Sequence, residues 1–187
     1  MYTQTISEIE EDALHLAKAK VDAANFAFLY KKYHKRIFLY LMNATRHEHD
    51  AADMATNVFA KALQNLHKYE HRGLPFSAWL YKIALNELNA YYRTKNRVGY
   101  VALEPEHIKE ELDTLPVDAE SWLQCLTNSM QHLEIADFNL LQFRFTEDKS
   151  FRDIGAILGC TEDNAKTKTY RILKKLKPLI ELCYAKV

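Results

Sequence analysis

The sequence predicts an all-α protein built as two small helical domains. Gly and Pro number only four each in 187 residues, too few to punctuate a sheet protein of this size. Apolar residues recur at three- and four-residue steps through long runs, the period of a helix with one buried face. The stretch Ser150–Leu176, SFRDIGAILGCTEDNAKTKTYRILKKL, parses as a short helix, a glycine turn and a longer basic helix. That order is the pattern of a DNA-binding helix-turn-helix.

From the N-terminus, residues 1–22 read as a frayed or loosely docked first helix. A strong helix follows from Asp22 to about Thr45, with Phe26, Leu29, Tyr30, Tyr33, Ile37, Tyr40 and Leu41 on one side. The polar RHEHD loop separates it from a third helix, Ala51 to Tyr69. Its stripe is Ala55, Val58, Phe59, Ala62, Leu63 and Leu66. Gly73 and Pro75 break the chain after LHKYEHRGLP, which is short, basic and aromatic. A fourth helix runs from Phe76 to about Lys95 with Trp79, Leu80, Ile83, Ala84 and Leu88 inward. Its other face interleaves Lys82, Asn86, Asn89 and Arg93 with Tyr81, Tyr91 and Tyr92. Amides, cations and rings together suit unstacked bases, although tyrosines packed on neighbouring helices are the simpler reading.

The predicted domains are 1–98, an acidic linker over 99–118, and 119–187. Between Tyr100 and Glu120 seven acids, with Pro105 and Pro116 among them, face the single base Lys109. The second domain holds helices near Ala119–Leu133 and Ile135–Phe145, then the Ser150 motif. There, Ser150 and Thr161 are placed to cap the two helices and Gly159 to end the first. Ala165, Thr169, Ile172 and Leu176 form an inward stripe. Asn164, Lys166, Thr167, Lys168, Tyr170, Arg171 and Lys174 are left for the outward, DNA-reading face. Gly155 sits mid-helix at a cost of about 1 kcal/mol, which is useful only where the second helix crosses closely.

Charge supports two sites for one polyanion. Lys and Arg total 25, as do Asp and Glu, so the net charge is zero and the chain is not a DNA-coating protein. Yet the basic residues cluster in 61–97 and 149–177, on either side of the acidic spacer. Three scattered cysteines, Cys125, Cys160 and Cys183, imply no disulfide framework and a reducing cytosol. No metal-ligand spacing, signal peptide or membrane span is visible. No phosphate-cradling glycine run or nucleophile motif argues for an enzyme.

Taken together, AADMATNVFAKAL, FSAWLYKIALNELNAYYR and SFRDIGAILG-turn-NAKTKTYRILKKL resemble the extracytoplasmic-function group of bacterial sigma factors. The resemblance runs from about Phe26 to Leu176. It implies a cytoplasmic promoter-specificity subunit with core RNA polymerase and promoter DNA as partners, and in some cases an anti-sigma protein. Neither a cofactor, a small-molecule substrate nor direct membrane insertion is implied. Asp53, Asn57 and Phe59 fall on the family's polymerase-binding helix, with Thr56 where Gln is usual and Asn57 where an acid is common. Lys68, His71 and Arg72 fall in the loop that captures a flipped −10 base. Trp79, Lys82, Asn86 and Arg93 fall on the helix after it. Asn164, Lys166, Thr167, Lys168, Tyr170, Arg171 and Lys174 fall on the helix that reads the −35 element. The alternative is a stand-alone helix-turn-helix regulator binding an operator as a dimer; the WLYKIALN helix beside a basic loop is the feature such a regulator does not need.

Overall fold

The computed structural model describes residues 6–71, 73–95, 119–130 and 133–185. Among them are eight α-helices: α1 Ile6–Val21, α2 Phe26–Thr45, α3 Glu48–Gln64, α4 Phe76–Thr94, α5 Ala119–Met130, α6 Ile135–Leu141, α7 Phe151–Leu158 and α8 Glu162–Tyr184. The expected linker and Arg72 lie outside the described residues.

The first half is held by the stripe read from α2. Leu29, Tyr40 and Leu41 are fully buried, with Tyr33 and Ile37 almost so. Tyr30 and Leu63, expected in the same core, are about two-fifths exposed, because each lies at the edge of its stripe where the helix surface turns to solvent. α3 starts three residues earlier than expected, so most of the polar HEHD run is its first turn. There the acids Glu48 and Asp50 meet the free amides.

The first helix departs from expectation. α1 is docked, with Leu16, Ala19 and even Asp12 buried. Asp12 accepts from Tyr33 Oη and from Lys32 Nζ at 2.6 Å, so the acidic composition that suggested a frayed end hides a partnered buried carboxylate.

In the second half the capping calls hold. Ser150 Oγ accepts from the Asp153 amide at 3.0 Å and Thr161 Oγ1 from the Asn164 amide at 3.2 Å. Gly159 closes α7 at φ 71°, a left-handed conformation that most side chains resist. A Cβ on Gly155 would stand 2.7 Å from the Cys160 carbonyl oxygen, so the turn into α8 crosses directly over it. Buried Thr169, in an otherwise apolar stripe, satisfies its hydroxyl on the Ala165 carbonyl at 2.8 Å. The cysteine reading is corrected: Cys125 of α5 and Cys183 near the end of α8 form a disulfide with Cα atoms 5.6 Å apart. They are 58 residues apart in sequence, and only the packing of α5 against α8 makes them neighbours. Cys160 is free.

The two halves share one core. Phe143, just after α6, is fully buried and stacks on Tyr40 of α2 at 5.0 Å between centroids, with Tyr81 of α4 edge-on at 5.5 Å.

Candidate nucleic-acid interface

The chain between α3 and α4 is shaped from both ends. Leu66 is buried and begins a single turn of 3₁₀ helix, Leu66–Lys68; Tyr69 then folds back against Phe76 and Trp79, its ring 5.5 and 4.9 Å from theirs. Lys20 of α1 donates to the Tyr69 carbonyl at 2.6 Å and fixes the strap from outside. Burial pushes the Tyr69 phenol up to about 12, so it stays neutral. Behind the strap lies a cleft of about 340 Å³, lined by Lys68, Tyr69, Trp79, Lys82 and, from the second half, Ala156 of α7. Two rings and two ammonium groups around a small cleft match a nucleobase and its phosphate.

Lys82, Asn86 and Arg93 continue from this cleft along the exposed side of α4 at steps of four and seven, while Lys68 and His71 are exposed on the strap. The tyrosines do not join them. Tyr81 is 1% exposed and donates to Glu147, Tyr92 donates to the Ala44 carbonyl at 2.6 Å, and Tyr91 donates to Asp50 at 2.7 Å. Asp50 also takes Lys95 at 2.7 Å, and these two donors hold its carboxyl below the usual carboxylate range. The stacking rings here are therefore Trp79 and Tyr69; the second carries no sequence mark apart from its basic surroundings.

A second cationic face lies on α8. Asn164, Lys166, Thr167, Lys168, Tyr170, Arg171 and Lys174 are all exposed, since Ala165, Thr169, Ile172 and Leu176 occupy the buried side. On α3, Asp53 and Asn57 are exposed, and His49 Nδ1 lies 3.3 Å from Asp53 one turn away. Phe59 is 4% exposed, packed edge-on to Phe26 and Tyr30, so it shapes this face from beneath.

The geometry defines a helical protein with two separated cationic faces, one of them built around a base-sized aromatic cleft. Comparison with known proteins narrows this. The sigma-70 region 2 family matches residues 29–98, the part that holds α2, α3, the strap and α4. The chain is 24% identical over 164 residues to the ECF RNA polymerase sigma factor BldN of Streptomyces coelicolor, covering 85% of this chain but 61% of that protein's length. It is 22% identical to the ECF RNA polymerase sigma factor SigM of Bacillus subtilis, over 81% of this chain and 92% of SigM. Against the RNA polymerase sigma factor YlaC of the same organism it is 27% identical, over 80% and 88%. In fold it is similar to CnrH, solved in complex with the cytosolic domain of CnrY, at TM-score 0.68 and 18% identity, covering 90% of this chain and 96% of that one. The sigma factor RpoE in complex with the anti-sigma factor NepR from Bartonella quintana gives 0.62 at 18% identity, covering 84% and 97%. The chain carries a sigma-70 region 2 domain, and these findings together support an extracytoplasmic-function sigma factor.

Proposed function

We propose that this protein directs core RNA polymerase to specific promoters, opening the −10 element with its first half and reading the −35 element with its second. The observation that carries the reading is the cleft of Lys68, Tyr69, Trp79 and Lys82, continued by Asn86 and Arg93, within the region 2 match. Trp79 and Tyr69 would stack an extruded base, Asn86 would contact a base edge, and Lys82 and Arg93 would hold the flanking phosphates. Lys166, Lys168 and Arg171 would enter the major groove of intact duplex, where a good bidentate contact discriminates by about 1–3 kcal/mol. Asp53 and Asn57, exposed on α3 with Phe59 beneath them, would meet the polymerase. The protein itself would do no chemistry and would act in the cytoplasm, where that polymerase works. Two structural neighbours were solved with CnrY and with NepR, which supports an anti-sigma protein as a further partner. The test is co-elution with core polymerase followed by run-off transcription on genomic fragments. Discrete transcripts that require this protein are expected; operator binding without any transcript would favour the stand-alone regulator.

A further inference from the structure

The surface that joins the two halves is neither apolar glue nor a loose contact. Tyr40, Tyr81 and Phe143 form a ring triad, and around it every polar group has a partner in the other half. Tyr40 Oη reaches Asn139 at 3.2 Å, Gln142 Nε2 donates to the Tyr40 carbonyl at 3.3 Å, and Lys149 Nζ donates to Ser77 Oγ at 2.9 Å. Lys149 also lies over the Tyr81 ring at 4.8 Å, and Arg36 Nε stands 3.9 Å from Glu147, which accepts from Tyr81. Glu147 and Lys149 are 5% and 6% exposed. Charged side chains this covered need those specific partners, so the surface is complementary by construction.

This docking sets α7 over the base-capture strap. Ala156 forms part of the cleft wall, and the Arg152 guanidinium stands 3.3 Å from where a Cβ on Gly73 would be. The −35 face of α8 stays open meanwhile. A globule of this length has a radius of gyration of about 16 Å, hence a diameter of roughly 40 Å. Elements named for positions −10 and −35 lie about 25 base pairs apart, roughly 85 Å of duplex at ~3.4 Å per pair. The closed protein cannot occupy both. The chain between Lys95 and Ala119 can reach at most about 80 Å when extended, enough for the halves to part while remaining joined.

Building on the promoter-binding reading above, we propose that the α2–α4 face around Tyr40, Ser77 and Tyr81 is a docking surface for the chain's own C-terminal half. The closed protein is thus a self-masked form, and its halves must separate before the −10 strand is captured. Glu147 and Lys149 are the latch; neither belongs to the cationic faces or to the polymerase-facing side of α3.

The experiment uses the full chain and four variants: Lys149→Glu, Arg36→Glu, Glu147→Arg, and the swap Arg36→Glu with Glu147→Arg. Small-angle scattering of the wild type should give a radius of gyration near 16 Å. Lys149→Glu and Arg36→Glu should expand it while helical circular dichroism stays unchanged, and the swap should be more compact than either of its single variants. On promoter fragments selected by wild-type run-off, the opened variants should need about tenfold less protein for half-maximal transcription. That gain corresponds to a competent state rising from about a tenth of the population to most of it. Unchanged scattering in every latch variant overturns the docking, whatever the function. Expansion with no gain in transcription overturns the masking. Absence of wild-type transcription removes the promoter reading, and the masking with it, while scattering still decides the docking.

Discussion

Gly155 and Lys149 show how much a single position carries. Replacing Gly155 by Ala gains about 1 kcal/mol of helix propensity but sets a methyl 2.7 Å from the Cys160 carbonyl oxygen, which belongs to backbone and cannot swing aside. Gly155→Ala should therefore lose a net ~1–2 kcal/mol in urea unfolding; a stabilised variant would mean that the turn does not cross so closely. This glycine was legible in the sequence because its cost needs a compensating contact. The roles of Tyr81, Tyr91 and Tyr92 were not, since a ring on a helix looks the same whether a base or a neighbouring helix covers it. Lys149 was unreadable for the same reason: its burial depends on Ser77 and Tyr81, 72 and 68 positions upstream. Burial lowers the Lys149 ammonium to about 8, despite Glu147 and Asp153 beside it, while Arg36 adds to the lowering. The folded pKa lies below the unfolded one, so between pH 8 and 10 the unfolded chain binds more protons and folding gains with rising pH. The gain should approach about 1 kcal/mol per pH unit until the buried tyrosines, held above 10 by burial, oppose it. Lys149→Met should flatten this slope in urea titrations. A wild-type curve already flat between pH 8 and 10 would place Lys149 in solvent.

At the scale of elements, α8 and α4 are expected to work on different states of DNA. α8 projects its exposed cations from a capped, well-buried helix, which suits a major groove that is already formed. Arg171→Ala should weaken binding to double-stranded promoter, and should reduce the salt slope by about one unit if its contact is to phosphate. α4 adjoins the cleft, so Asn86→Ala should leave duplex binding nearly intact but reduce permanganate reactivity of thymines near the start site. Equal losses of duplex binding with melting untouched in both variants would point to a simple operator binder. Periodicity made both helices readable. α1 was misjudged because periodicity counts apolar residues, and its deepest anchor is the carboxylate of Asp12, buried under Tyr33 and Lys32.

At the scale of the whole molecule, the two-half division was legible but the joint between the halves was not. Composition marks a spacer; it cannot show that Phe143 stacks between Tyr40 and Tyr81. Nor could counting cysteines pair Cys125 with Cys183, because the bond depends on α5 lying along the far end of α8. Closing a loop with a sequence separation of 58 limits the unfolded chain by an amount equivalent to about 4 kcal/mol. Oxidised protein should accordingly lose stability on adding reductant, seen as a lower urea midpoint, and Cys183→Ala should abolish that response. A response that survives in Cys183→Ala would assign it to Cys160.

The central claim, a protein that lends promoter choice to a polymerase, is tested most directly by the polymerase itself. Core enzyme mixed with this protein should yield discrete run-off transcripts from a subset of genomic fragments. Asp53→Arg, which reverses an exposed charge on α3, should abolish both co-elution and transcripts while leaving helical circular dichroism intact. Wild-type co-elution and transcription by Asp53→Arg would contradict the α3 contact. Binding of the wild type to promoter-sized duplex with no polymerase contact and no transcript would contradict the account as a whole.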